Sequence, residues 1–171
     1  MRNQTANPAP RFYKTANDIP QKRRAQINCL LNQRLADAVD LQTQIKQAHW
    51  NVKGPHFIGL HELFDEIHEG VESYVDLIAE RVVELGGVAE GTARVAASRS
   101  RLGEYPLAIA DGSAHVSAVS KALSAFGLQA REAIDQTGKL EDADTADIFT
   151  EISRGIDKWL WFVEAHGQAP R

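Results

Sequence analysis

Apolar residues recur at helical spacing in four long stretches, and the period breaks between them. The first stretch carries Ile27, Leu30, Leu31, Leu35, Ala38, Val39, Ile45 and Ala48. Asp18 as a cap, with Pro20 in the first turn, starts this helix near residue 18, and Gly54-Pro55 breaks it after about Val52. A second helix is expected from about Phe57 to Leu85, where Leu60, Phe64, Ile67, Val71, Val75, Ile78, Val82 and Leu85 form one stripe and Gly86-Gly87 follows. A third, about Ser113 to Gln136, carries Val116, Val119, Leu123, Phe126, Ala130 and Ile134. A fourth begins at an Asp144 or Thr145 cap, is lined by Ile148, Ile152, Ile156, Leu160 and Val163, and closes at Gly167. Residues 87–111 mix Gly, Ser, Arg and Pro106, with a brief apolar patch at Tyr105–Ile109. A connection of that length can contain a short helix and carry the chain the full length of a bundle. The pattern therefore predicts an all-α four-helix bundle with a long crossover between its second and third helices.

The chain has 171 residues, enough for one domain with a sizeable core and no need of disulfides. No run approaches the roughly 18 apolar residues of a membrane span, so the 43% hydrophobic content must serve a core. Cys29 is the single cysteine, and the N-terminus lacks the apolar run of a signal peptide, which points to a cytoplasmic protein without a membrane role. Residues 1–17 are polar, contain Pro8 and Pro10 and show no period, so they read as a flexible basic tail. Residues 18–167 then form the bundle and 168–171 a short C-terminal tail. Charge is unevenly placed. Arg2, Arg11, Lys14, Lys22, Arg23 and Arg24 face only Asp18 in the first 24 residues, so the body is more acidic than the net charge of -4 suggests. A basic arm on an acidic body is an electrostatic handle for a polyanion, or a solubilising segment.

The second helix has a polar face beside its apolar stripe. At about 100° per residue, His61, Asp65, Asp76 and Glu80 fall within a sector roughly 100° wide. His61/Asp65 and Asp76/Glu80 are i,i+4 pairs, which stack two side chains on successive turns so that each pair can grip a metal ion from one side. Imidazole and carboxylate in a small ligand set suit Fe(II) and leave positions open for an oxidant. Acidic pairs at this spacing also occur on ordinary solvated helices. Asp65 and Asp76 are separated by roughly 16 Å along the axis, so the two pairs cannot share one centre within a chain. A second copy laid antiparallel across a two-fold axis removes the difficulty: both pairs share a midpoint near residue 70, so His61 and Asp65 face Glu80 and Asp76 of the other copy. The same symmetry brings Glu69 towards Glu72 of the partner, a like-charge contact. His49, near the end of the first helix, can complete each site.

The string His49-Trp50-Asn51-Val52, Gly54, Phe57, Leu60-His61, Phe64-Asp65, Asp76 and Glu80 resembles the signature of the Dps family, the DNA-binding proteins from starved cells, which are small ferritins. The likeness extends from about Asn17 to His166. It includes Lys46-Gln47-Ala48, Ala79-Glu80-Arg81, Leu85-Gly86-Gly87, Asp144-Thr145-Ala146-Asp147, and Asp157-Lys158 ahead of Leu160-Trp161. The resemblance implies a ferritin-like bundle assembled from two-fold dimers into a hollow homododecamer. Its ferroxidase sites would straddle subunit pairs, oxidise Fe(II) preferentially with hydrogen peroxide, and pass ferric product to a store inside. His49, His61 and Asp65 would come from one subunit, and Asp76 and Glu80 from its partner. Zinc or another divalent ion could occupy the same ligands.

By the same resemblance Glu62, Glu66 and Glu69 nucleate mineral, Trp50 and Trp161 quench stray oxidising equivalents, and Glu141, Asp142, Asp144 and Asp147 line an entry pore. A solvated acidic face, packing, and favourable charge at a helix N-terminus are the respective structural explanations. DNA contact would use the basic residues of the arm, placing the protein on the bacterial nucleoid. A bundle-core di-iron enzyme would need Glu-x-x-His motifs, and the sequence has none. The remaining alternative is a non-enzymatic DNA-compacting or interaction protein whose metal site staples the dimer. His56, His68, His115 and His166 receive no role.

Overall fold

The computed structural model describes residues 12–168. Five helices follow one another: α1 (Gln21–Asn51), α2 (Phe57–Glu84), α3 (Ala93–Arg99), α4 (Gly112–Lys139) and α5 (Ala143–Ala165). Helices α1, α2, α4 and α5 form the ferritin-like four-helix bundle, with α3 the short helix in the crossover. Among the described residues there is no strand, only an isolated parallel bridge between Lys53 and Asp111. The four apolar stripes converge on one core. Ile27, Leu31 and Ile45 of α1, Phe64 and Ile78 of α2, Phe126 of α4 and Phe149 of α5 are fully buried. Leu30, Val39, Val75, Val116, Ile134, Ile148 and Leu160, expected in the stripes, pack at its margin.

The helix starts differ from expectation in two places. Pro20, not Asp18, occupies the α1 cap position, where its carbonyl accepts from the Arg23 and Arg24 amides. Helix α5 is capped by Asp142, whose side chain accepts from the Thr145 amide, and not by Asp144 or Thr145. A carboxylate three residues before the amide it caps satisfies an otherwise orphaned donor, and the turn through Glu141, at φ 53°, brings Asp142 to that position.

The crossover runs the length of α1. At one end Gly86 terminates α2 with φ 83°, and its carbonyl accepts from the Tyr13 amide at 2.7 Å. A Cβ there would lie 2.7 Å from the Tyr13 carbonyl oxygen, so both conformation and proximity require glycine. Residues 12–17, assigned by sequence to the tail, therefore begin against the body, and Arg24 closes the corner over the Phe12 ring. At the other end the Lys53 amide donates to the Ala110 carbonyl at 2.9 Å. Between them, polar side chains of α1 hold the crossover turn by turn. Asn32 bonds the Val88 carbonyl and Glu90 amide, Gln33 the Arg99 carbonyl, Asp37 the Arg101 amide, and Gln44 the Gly103 carbonyl. The helix inside the crossover forms at Ala93–Arg99, while the apolar Tyr105–Ile109 patch stays irregular around Pro106.

Candidate metal centre

The end of α1 and the first turns of α2 bring His49, His61 and Asp65 together. Each histidine places Nδ1 2.8 Å from the other's backbone carbonyl oxygen. A carbonyl can only accept, so both Nδ1 atoms carry the proton and donate, and in the neutral form each ring keeps its lone pair on Nε2. The rings stack with centroids 3.8 Å apart and 21° between planes, and Phe57 lies against His61 at 5.1 Å. Histidine metal ligands are commonly oriented in this way, with one nitrogen tied to a carbonyl and the other free to coordinate. His49 is 9% exposed, so α1 holds it at the wall of the bundle rather than in open water.

Asp65 Oδ1 lies 3.8 Å from His49 Nδ1 and accepts a hydrogen bond from Lys46 Nζ. That bond is the largest influence holding the Asp65 carboxyl below its ordinary range, assisted by the charges of His49, Lys46 and His68. Lys46 stands three residues before His49, one turn back on the same face of α1, and sequence reasoning gave it no role. Its signal was that i,i+3 spacing beside a candidate ligand. Lys46 is a cation in direct competition with any metal for an Asp65 oxygen.

Asp76 and Glu80 sit farther along α2, both exposed, roughly 16 Å from Asp65 along the axis. Among the described residues of one chain, no three His, Cys, Asp or Glu side chains converge closely enough to hold a metal ion. The structure thus holds a histidine-rich cluster at one end of α2 and, separately, a carboxylate pair farther along it. Glu62, Glu66 and Glu69 are exposed on the same helix. Trp50 and Trp161 are 66% and 63% exposed, so packing within the subunit core accounts for neither.

The remaining candidates divide sharply. Asp142 is 2% exposed and accepts from Arg81 Nη2 at 2.8 Å as well as from Thr145, while Arg81 Nε donates to Thr145 Oγ1 at 2.9 Å. A buried carboxylate engaged by a guanidinium and a cap is structural, whereas Glu141, Asp144 and Asp147 are exposed. Arg23 of the basic segment pairs with Glu141 of the acidic one at 2.6 Å. Arg24 is buried and donates to the Ile19 and Leu85 carbonyls, which makes it a brace for the corner. Lys14 and Lys22 are exposed, and Arg2 and Arg11 lie outside the described residues.

The family model described as a ferritin-like domain matches residues 28–170. The chain is similar to a DNA protection during starvation protein from Agrobacterium fabrum, 43% identical over 156 residues that span 91% of this chain and 96% of the relative. Another protein of that name, from Mycolicibacterium smegmatis, is 32% identical over 150 residues, 86% of this chain and 80% of the relative. Among solved structures, DpsA14 from Streptomyces coelicolor superposes with a TM-score of 0.86 at 33% identity, covering 92% of this chain and 94% of that one.

Proposed function

The chain belongs to the ferritin-like family, among the DNA protection during starvation proteins, and from that premise we propose that it oxidises Fe(II) with hydrogen peroxide and stores the ferric product. Each site is built from His49, His61 and Asp65 of one subunit with Asp76 and Glu80 of a second copy. The observation that carries this reading is the reciprocal bonding of His49 and His61, which fixes both tautomers with Nε2 free to coordinate. Carboxylates from the second copy complete an oxygen and nitrogen ligand set suited to Fe(II), with zinc or another divalent ion as an alternative occupant. Two adjacent Fe(II) ions each give one electron, so peroxide is reduced to hydroxide without releasing a hydroxyl radical. Glu62, Glu66 and Glu69, exposed on α2, would then receive ferric ions. Trp50 and Trp161 stand as sinks for stray oxidising equivalents, and Glu141, Asp144 and Asp147 as a pore lining.

Assembly into a two-fold dimer, and from dimers into a homododecameric shell, is part of the proposal. Ile58, Trp50, Trp161 and Leu107 are between 60% and 76% exposed on the isolated subunit, large apolar side chains that association would cover. Activity is tested by anaerobic Fe(II) loading followed by peroxide, reading ferric absorbance in wild type and in a variant carrying both His49→Ala and Asp76→Ala. The variant is expected to oxidise iron at the rate of free solution, and equal rates in the two proteins would sink the assignment.

DNA binding, if the arm supplies it, uses Lys14 and Lys22 with Arg2 and Arg11, because Arg24 is buried and Arg23 is paired with Glu141. Repetition of a few cations around a multimer converts weak phosphate contacts into avidity. Gel shifts at rising salt should show weaker retention when residues 1–17 are deleted. Unchanged binding would remove the arm from this role.

A further inference from the structure

Histidine 115 lies on the first turn of α4 and is 1% exposed, and its Nε2 has no hydrogen-bond partner. Its other nitrogen, Nδ1, is 2.6 Å from Tyr105 Oη, with the two rings stacked at 6.0 Å and 26°. Burial pushes the Tyr105 phenol well above its ordinary value, and burial pushes the His115 imidazole below its own. The pair therefore rests as neutral phenol and neutral imidazole at physiological pH. Opposing the effect of burial, the Asp111 charge and the backbone of Asn51 and Ile109 favour a protonated His115. Carbonyls beside the ring can only accept, which favours the ring proton on Nε2 and leaves Nδ1 to accept from the phenol. A phenol with a base held on its proton loses an electron far more readily than a free one, because the proton can leave in the same step and no acidic radical cation forms.

The pair also packs against the end of α1, the helix that carries His49. Asn51, whose backbone adjoins His115, follows His49 by two residues in the same turn of α1, and the Lys53–Ala110 hydrogen bond clips the crossover to that turn.

We propose that Tyr105 and His115 form a proton-coupled trap for oxidising equivalents escaping the iron site, an inference that rests on the iron-oxidising reading above. When peroxide meets a lone Fe(II), it yields Fe(III), hydroxide and a one-electron oxidant of the hydroxyl-radical class. Tyr105 gives that oxidant an electron as its O–H bond breaks and the proton passes to His115 Nδ1. The products are hydroxide, a neutral tyrosyl radical and an imidazolium. A second Fe(II) arriving at the site reduces the radical, His115 returns the proton, and Fe(III) is formed. Two Fe(II) ions are thus consumed per peroxide even when they arrive one at a time. The half-buried phenol is less open to water than the exposed Trp50 and Trp161.

The test uses the full-length assembled protein, mixed anaerobically with less Fe(II) than sites, then with peroxide. Freeze-quenched samples are read by high-field electron paramagnetic resonance, with ferric absorbance followed in parallel. The expected result is a tyrosyl signal whose g anisotropy is narrowed by a hydrogen bond and whose formation slows in heavy water. Tyr105→Phe should abolish it, and His115→Leu should widen the g anisotropy and remove the solvent isotope effect. The chain has three tyrosines, so a signal of unchanged intensity in Tyr105→Phe would overturn the proposal. Normal iron oxidation with no protein radical in wild type would do the same and reduce the pair to a structural contact. If iron is not oxidised at all, the iron-oxidising reading fails instead. The metal-free protein, oxidised by pulse-generated azide radical, then decides the pair alone: a hydrogen-bonded tyrosyl signal lost in Tyr105→Phe supports it, and the absence of that signal overturns it. Thermal melts by circular dichroism show whether each variant is folded. Tyr105→Phe, which keeps the ring, carries the test if His115→Leu is not.

Discussion

His49 and His61 show how little of a side chain's chemistry lies in its identity. Either residue alone is a common helix constituent, yet each here donates Nδ1 to the other's carbonyl, and only that exchange assigns the lone pairs to Nε2. The sequence supplied both residues, His49 near the end of α1 and His61 with its phase on α2. It did not supply Lys46 as a competitor, because an amine one turn before a candidate ligand is indistinguishable from a solvated one until α1 and α2 are packed. Lys46 and Asp65 are only partly buried, so the pair contributes modestly and should yield to a metal. Lys46→Gln is expected to tighten binding of redox-inert Co(II) by up to roughly fivefold, measured by calorimetry. Unchanged or weaker binding would show that Lys46 does not compete for Asp65.

At the level of the helix, the apolar period located the four bundle helices to within a few residues, because burying one face against a core is a local requirement repeated every turn. Caps were harder to place. Asp142, Asp144 and Thr145 are all good capping residues, and the choice fell to Asp142 because Arg81 of α2 is there to neutralise it. That interaction ties α2 to the start of α5 with both charged side chains at 8% exposure or less. Removing one partner leaves the other charged and buried. Arg81→Met is accordingly expected to cost about 3–5 kcal/mol in denaturant unfolding. Adding Asp142→Asn should recover part of the loss, and additive effects of the two substitutions would show that the charges are uncoupled. The polar positions of α1 were equally opaque. Nothing in the sequence singles out Asp37 and Gln44, yet they are buried because the crossover lies across them and draws its hydrogen bonds from them.

For the whole molecule, the separation of the two half-sites makes an unusual demand. In a dimer built on a two-fold axis, His49→Ala subunits and Asp76→Ala subunits should each be inactive alone. A mixed dimer, however, pairs the intact histidine half of one chain with the intact carboxylate half of the other. Unfolding and reassembling equal amounts of the two should therefore restore about a quarter of wild-type ferroxidase activity, since half of the dimers are mixed and each has one of its two sites complete. Native mass spectrometry would verify the mixed dimers, and no recovery in their presence would exclude shared sites. The sequence by itself determined the all-α class, the long crossover and the shared face of His61, Asp65, Asp76 and Glu80 on α2, because these follow from periodicity and spacing along one chain. Only the tertiary structure decided which nitrogen of each histidine is free, that Lys46 occupies Asp65, that Arg24 and Asp142 are structural, and that His115 meets Tyr105. Each of these depends on contacts between segments far apart in sequence, and no local pattern encodes which polar group a distant turn of chain will bring within hydrogen-bonding distance.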